Sequence, residues 1–215
     1  PNGTNPHVIA SSSFYPSSRI DKYLEAGILT VGYYPAGRGM PGQASVLRTH
    51  PNGEGSHIFK KSAYAKMILR SSKSEMDRVR SIYSEIEKFE AKEKKNREKY
   101  DKAKEKAEKE KDKAKKKEKL AKLGSYKPLT PDSKVKALID IQAKKLPMLI
   151  SLDRAGTYLH FIKALDKKDM AWSLRMPISV ESDFSHIKDQ IAEMETRVIM
   201  DPTISFNPGT IQQRN

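Results

Sequence analysis

The stretch that decides the fold is KKLPMLISLDRAGTYLHFIKAL, residues 144–165. Its apolar run at 149–152 predicts a buried β-strand, because it is short, apolar and ends abruptly at the charged pair Asp153 and Arg154. The residues that follow, 155–165, have the spacing of an amphipathic helix. A strand that leads directly into a helix is typical of the repeating unit of a parallel α/β sheet.

The same alternation continues on both sides of this unit. Downstream, the sequence predicts a strand at 170–176, a helix at 184–194 and a strand at 197–200. Upstream, Thr130, Pro131 and Asp132 are a helix start signal, and the apolar residues that follow predict an amphipathic helix. We therefore predict an α/β fold with a parallel sheet or barrel.

The N-terminal block gives a similar pattern. We predict a strand at 7–10, a helix that begins at Ser18 and ends at Gly27, and a strand at 28–33, which together would form another parallel unit. The following segment, PAGRGMPGQASV at 35–46, is rich in glycine and proline and is predicted to be a loop. It matches neither a Walker loop nor the dinucleotide fingerprint, and is either a surface loop or the lip of a pocket.

A charged segment separates these blocks. Residues 81–123 are almost all Lys, Glu, Asp, Arg or Ala, which predicts a solvated helical insertion, in one piece or as a hairpin. The formal net charge is +14, but acidic residues are interleaved with the lysines, so we do not expect nucleic acid as a partner. The predicted divisions are 1–80, 81–123 and 124–215.

The residue types exclude cysteine chemistry, and the apolar runs do not predict a membrane span. The 215 residues contain no cysteine, so disulfides, thiolate metal sites and cysteine nucleophiles are excluded. No apolar run approaches the roughly 18 residues of a membrane span, so none is predicted. Both ends of the sequence resemble cut points, and we expect an internal portion of a longer protein.

Three stretches, taken in order, resemble the metal-dependent amidohydrolase superfamily and its imidazolonepropionase-like branch. They are AGILTVGYYPAGRGMPGQASVLRT at 26–49, the stretch at 144–165, and HIKDQIAEMETRVIMDPTISF at 186–206. The resemblance implies that the chain is part of a TIM-type barrel. It also implies a substrate pocket near Gly42, Gln43 and Ser45, which stand where relatives have a Gly-Gly-Gln-Gly segment.

The second stretch resembles the relatives' strand that ends in His-x-His-Arg-Ala-Asp-Asp. In order, the matched positions of this chain hold Ser151, Asp153, Arg154, Ala155, Gly156 and Thr157. The two histidines and the two aspartates are thus replaced, and only the Arg-Ala pair is kept. The resemblance assigns a catalytic role to Asp153 and Arg154, while the residues alone also allow a structural ion pair.

Zinc or another divalent metal is the cofactor that the resemblance implies. Serine is a poor zinc ligand, so Asp153 alone could contribute here, and only with ligands from outside the 215 residues. The five histidines form no ligand pair; His160, for example, falls on the helix that would pack outside a barrel.

The sequence is compatible with two functions. The first is an amidohydrolase-like hydrolase of non-peptide amide or lactam C–N bonds, or a catalytically degenerate relative. Its partners would be a small-molecule substrate and the remainder of its own barrel or a homologous subunit, and the resemblance favours the cell envelope or periplasm. The alternative is a noncatalytic interaction or scaffold protein that uses the basic helical arm to bind an acidic partner.

Overall fold

The fold is a mixed α/β arrangement around one sheet. A computed structural model describes residues 3–51, 55–166, 170–176, 183–194 and 197–200. Within these ranges there are seven strands and six α-helices. The strands are β1 (Gly3–Thr4), β2 (Thr30–Tyr33), β3 (Gly39–Arg48), β4 (Ile58–Leu69), β5 (Met148–Leu152), β6 (Trp172–Met176) and β7 (Arg197–Met200). The helices are α1 (Ser18–Glu25), α2 (Lys73–Glu108), α3 (Lys113–Leu123), α4 (Ser133–Gln142), α5 (Ala155–Leu165) and α6 (Lys188–Glu193).

The C-terminal half is the parallel α/β structure that the sequence predicts. Strands β4, β5, β6 and β7 pair in this order and all are parallel. The predicted helix at 155–165 matches α5, and the strands predicted at 149–152 and 197–200 match β5 and β7. These predictions are confirmed; closure of the sheet into a TIM-type barrel stays a prediction. The end of the third resembling stretch, 201–206, lies outside the described residues.

The N-terminal half corrects the prediction of a parallel unit. Strand β2 lies antiparallel to β3, and β3 lies antiparallel to β4. The connection from β2 to β3 covers only residues 34–38, which is hairpin length and too short for a parallel crossover. The predicted helix from Ser18 is confirmed as α1.

The segment 35–46 was predicted to be a loop, and this is wrong for most of its length. Residues from Gly39 onward form β3, a strand of ten residues that is almost entirely buried. Pro41 is accommodated because the register between β3 and β4 shifts between Gly39 and Gly42, and such an irregularity leaves room for a residue that cannot donate a ladder hydrogen bond.

The strand predicted at 7–10 is also wrong. Ile9 makes a single parallel bridge to Gln43, and Ala10–Ser13 then forms a 3-10 helix. The serine cluster explains the difference, because serine hydroxyls compete for backbone groups and favour turns. Ser13, for instance, donates its hydroxyl hydrogen bond to the carbonyl of Ala10 at 3.2 Å.

The hydrophobic core lies between one face of the sheet and helices α2, α4 and α5. On β5 it takes every second side chain, Met148, Ile150 and Leu152. The helices contribute, among others, Val79, Ile82 and Ile86 of α2, Leu138 and Ile141 of α4, and Tyr158 and Phe161 of α5. The core therefore extends along α2 to Ile86, into the segment whose composition is mostly charged.

The rest of the charged segment is a helical hairpin. Helix α2 ends at Glu108, Asp112 caps α3 by accepting hydrogen bonds from the amides of Ala114 and Lys115, and the two helices pack together. The chain returning to the core is fastened to α2 by Glu93, whose carboxylate accepts hydrogen bonds from the Tyr126 hydroxyl and from the Leu129 amide, the latter at 2.7 Å. Of the two predicted forms, the hairpin is confirmed.

The packing of the core predicts that truncating a buried leucine on one helix destabilises the protein more than truncating an exposed leucine on another. Leu138→Ala removes a fully buried side chain, and we expect it to lower the free energy of unfolding by about 2–5 kcal/mol. Leu159→Ala on α5 is the matched control, since that side chain is half exposed, and should change stability by less than about 1 kcal/mol. Chemical denaturation measures both; equal effects would contradict the packing described.

The Glu93 contact predicts a pH effect. The hydrogen bonds from Tyr126 and from the Leu129 amide hold the pKa of Glu93 below its ordinary value. Because the folded-state pKa is depressed, the stabilisation is present at neutral pH and is lost as the pH falls through the folded pKa. An NMR titration should show that Tyr126→Phe raises the pKa of Glu93, whereas Tyr100→Phe in the same hairpin should leave it unchanged. An unshifted pKa in Tyr126→Phe would contradict the contact.

Candidate functional site

The candidate site is the carboxyl end of β5, where the sheet passes into α5. In parallel α/β folds, ligands bind at the carboxyl ends of the strands, so functional side chains are expected at this edge. Met148, Ile150 and Leu152 point into the helix-covered core, and successive side chains of a strand alternate between faces. Ser151 therefore points to the opposite face of the sheet.

Ser151 has a buried hydroxyl without a hydrogen-bond partner among the described residues. The residue is 9% exposed, and its Oγ is shielded from solvent. Its neighbours in register are Ile68 on β4 and Arg175 on β6. A buried hydroxyl without a partner costs about 1–3 kcal/mol, and most such groups in native proteins are satisfied. Among the described residues, the Ser151 hydroxyl is thus a buried polar group whose hydrogen-bonding capacity is not met.

Asp153, in contrast, is held by its neighbours. The Thr157 hydroxyl donates a hydrogen bond of 2.5 Å to its Oδ1, and the Arg154 Nε lies 3.8 Å from Oδ2. Thr157 is fully buried in the first turn of α5, where the helix dipole also favours a negative charge. The ion pair with Arg154 is largely exposed and adds little, so the Thr157 hydrogen bond is the main restraint on this carboxylate.

These residues do not fit a metal centre. Serine is a poor ligand, and one oxygen of the single carboxylate already accepts the Thr157 hydrogen bond. Across the described parts of the chain, no three side chains of His, Cys, Asp or Glu are grouped to hold an ion. His160 lies exposed on α5, and the His57 ring nitrogen Nδ1 lies 2.9 Å from the Arg48 carbonyl oxygen, far from β5 in the fold.

The predicted pocket residues Gly42, Gln43 and Ser45 all lie in β3, two strands away from β5. Gln43 donates to the Pro6 carbonyl oxygen at 2.7 Å and accepts from the Ser62 hydroxyl. Ser45 donates to the Lys61 carbonyl oxygen at 2.6 Å. These polar groups fasten β3 to β4 and to the N-terminal segment, and the structure does not bring them together with Asp153; their pocket role stays a prediction.

Gly42 has a structural reason to be glycine. Its φ is +149°, and a Cβ at this position would lie 2.4 Å from the Val8 carbonyl oxygen. The backbone of the N-terminal segment can therefore approach β3 closely only because this side chain is missing.

Sequence reasoning missed Lys66, which lies on the same face of the sheet as Ser151. Lys66 pairs in register with Leu149, and the adjacent β4 residue Ala65 points into the core, so Lys66 points away from it. The residue is 5% exposed, and its Nζ lies 3.1 Å from the centroid of the Tyr34 ring. The sequence does carry a signal for this residue, because the lysine lies inside the apolar run Ala-Tyr-Ala-Lys-Met-Ile-Leu at 63–69. A lysine that faces solvent would not be expected to have apolar residues on both sides in the sequence.

The charged hairpin presents mostly exposed lysines. Several are paired with acidic residues one helical turn away, such as Lys109 with Glu105 and Lys122 with Glu118. Exposed pairs of this kind contribute little to stability. A role in binding an acidic partner stays a prediction, as does the envelope or periplasmic location. No helix within the described ranges is both long enough and apolar enough to cross a membrane.

Comparison with known proteins gives one informative result. No protein-family model matches the sequence, and no curated protein matches it. Among solved structures, the chain is similar to an amidohydrolase from Thermotoga maritima MSB8, with a TM-score of 0.66 and 19% sequence identity. The match covers 95% of this chain and 50% of that one, so the chain spans half the length of this relative. At this identity the likeness shows a shared fold.

The Asp153 contact yields a prediction about stability. Thr157→Val keeps the shape of the side chain but removes the hydroxyl that donates a hydrogen bond to the Asp153 carboxylate. We expect the free energy of unfolding to fall by about 1–3 kcal/mol. Thr130→Val is the matched control, since Thr130 is exposed, and should stay within about 0.5 kcal/mol of the parent. Thermal or chemical denaturation measures both. If Thr157→Val is as stable as the parent, the hydrogen bond does not restrain Asp153 as described.

Proposed function

We propose that this chain is part of an amidohydrolase-like protein of the imidazolonepropionase-like branch that binds a small molecule at the carboxyl edge of its sheet. We further propose that it is a degenerate relative, in which the β5 end lacks the ligands for metal-dependent hydrolysis of amide or lactam C–N bonds. The observation that carries the proposal is the state of Ser151 and Asp153: the hydroxyl of the first has no partner among the described residues, and the second is already held by Thr157.

The chemistry of amide hydrolysis explains why these two positions matter. A metal ion in such a site activates a water molecule and polarises the substrate carbonyl, and strand-end ligands must hold it in place. An imidazole offers a good nitrogen ligand for zinc, whereas a neutral serine hydroxyl does not. To bind an ion, Asp153 would also have to share or give up the bond from Thr157, which lies at the base of α5.

The fold supports the coarser part of the proposal. The described sheet has parallel strands β4 to β7 with helices against one face, and the fold is similar to that of the Thermotoga amidohydrolase over 95% of this chain. We propose that the remainder of a TIM-type barrel comes from the rest of the same protein or from a homologous subunit. In this arrangement Asp153 is a positioning residue that fixes the turn between β5 and α5 through its bond to Thr157, and Arg154 is the N-cap residue of α5.

The test measures zinc content and hydrolysis together. The full-length protein is purified after expression with added zinc, its metal is quantified, and it is assayed with N-acyl amino acids and cyclic lactams. We expect neither stoichiometric zinc nor hydrolysis. We also expect Asp153→Ala to match the parent in both readouts, as should Asp189→Ala, a control for an exposed carboxylate on α6.

Stoichiometric zinc together with amide hydrolysis by the parent would overturn the proposal of a degenerate relative, and one pattern among the variants would also assign the metal to Asp153. The parent and Asp189→Ala would each hold about one equivalent of zinc and hydrolyse an amide, while Asp153→Ala would lose both the metal and the activity. That result would make Asp153 a metal ligand despite its bond to Thr157.

A further inference from the structure

The positive charge of the helical hairpin is concentrated in its tip, meaning the turn after α2 together with α3, residues 109–123. The tip holds eight lysines and three acidic residues. The stem, residues 87–108 of α2, holds nine basic and seven acidic residues, so its charges nearly balance. Most of the excess charge of the hairpin therefore lies in its distal part.

The three acidic residues of the tip are all engaged within the hairpin. The Lys119 ammonium group donates a hydrogen bond to the carboxylate of Glu110. Asp112 accepts hydrogen bonds from the first amides of α3. The Nζ of Lys122 lies 2.6 Å from Oε1 of Glu118. No acidic group of the tip is left to neutralise the remaining lysines.

Five lysine side chains of the tip form no ion pair or hydrogen bond with the residues that the structure describes. They are all exposed or half-exposed: Lys111, Lys113, Lys115, Lys116 and Lys117. Lys113 and Lys117 are one helical turn apart, and like charges at this spacing destabilise a helix. The tip thus carries a positive charge that the protein does not neutralise, and an anionic partner would relieve the repulsion.

The tip is also held away from the core. Ile86 is the last residue of α2 in the core, and the 22 helical residues that follow it, at 1.5 Å each, extend about 33 Å. At the base of the hairpin, Glu93 is bonded to Tyr126 and to Leu129. An extended surface can therefore contact the tip without contacting the sheet or the helices of the core.

The residue types of the tip limit the kind of partner. Lysine is its only cation, and it has no arginine and no aromatic residue. Arginine recognises single phosphate or carboxylate groups through two parallel hydrogen bonds, and aromatic rings stack on the bases of single strands. A cluster of lysines without either responds to the density of negative charge. The expected partner is therefore a surface with many anionic groups.

A groove between α2 and α3 favours a lipid surface over a nucleic acid. The groove has a volume of about 430 Å³ and is lined by three apolar side chains, Ala103, Ala107 and Leu123, and by three lysines, Lys106, Lys119 and Lys122. An anionic lipid combines an anionic headgroup with apolar chains in the same way. The backbone of a nucleic acid carries the negative charge but has no apolar chain to match this lining.

We propose that the tip of the hairpin docks onto the surface of an anionic lipid bilayer. Its unpaired lysines contact the headgroups, and each lysine close to such a surface strengthens binding several-fold. Docking of this kind requires no membrane-spanning segment. It does not depend on the proposed function, because the tip shares no residue with the β5 end.

The experiment is cosedimentation of the full-length protein with lipid vesicles. One set is made of phosphatidylcholine alone, and the other of equal amounts of phosphatidylcholine and phosphatidylglycerol. We expect binding to the anionic vesicles and none to the phosphatidylcholine vesicles. Binding should weaken as the salt concentration is raised, because the lysines are exposed and their attraction to the headgroups is screened.

Two variants with the same net charge locate the binding surface. The tip variant combines Lys113→Gln, Lys115→Gln, Lys116→Gln and Lys117→Gln. The stem variant, the matched control, combines Lys94→Gln, Lys95→Gln, Lys99→Gln and Lys102→Gln, all at exposed positions. We expect the tip variant to bind anionic vesicles at least about tenfold more weakly than the parent, and the stem variant less than about threefold. Glutamine and lysine have similar helix propensities, so circular dichroism should show the same helix content in both variants.

Four results would each overturn the proposal. They are equal binding to the two vesicle types, unchanged binding of the tip variant, an equal loss in the two variants, and binding of the parent to duplex DNA as tight as to anionic vesicles. The last result would assign the tip to nucleic acid. If the tip variant loses helix content, the two vesicle types and the DNA comparison with the parent still decide the question.

Discussion

The structure depends on the packing of β5 against its helices. Met148, Ile150 and Leu152 enter the core beneath α2, α4 and α5, and this fixes which side chains of the strand point the other way. A shift of one residue would place Ser151 in the core and expose the apolar set, so the register is strongly specified. The same constraint orients Ser151 toward the face opposite the core and places Asp153 at the start of α5, within hydrogen-bond distance of Thr157.

The same packing determines which polar groups lie at the candidate site. The face of β4 and β5 opposite the core holds a buried hydroxyl on β5 and a buried lysine on β4, and the carboxylate that follows β5 is already bonded to the adjacent helix. These groups are poorly suited to holding a metal ion. The fold resembles that of an amidohydrolase, while the chemistry at this strand end differs from what the resemblance to that superfamily implies.

Sequence reasoning predicted the elements whose signals are local. The β5 to β7 region and its helices combine short apolar strands with amphipathic helices, and those periodicities do not depend on distant partners. Strand β3 was missed because its Gly and Pro residues indicate a loop, and only pairing with β1, β2 and β4 makes that segment a strand. The contact of Asp153 with Thr157 spans four residues and could be anticipated. The pairing of Lys66 with Leu149 across 83 positions could not, since it rests on the β4–β5 register.

The most direct test of this description of the β5 end is a crystal structure of the full-length protein grown with zinc. Anomalous data would be collected at the zinc edge. We expect that Thr157 still donates to Asp153, that Ser151 faces away from the helices, and that no anomalous peak lies at the β5 end. A zinc ion at about 2.0–2.2 Å from an Asp153 oxygen, with the Thr157 bond broken, would contradict it.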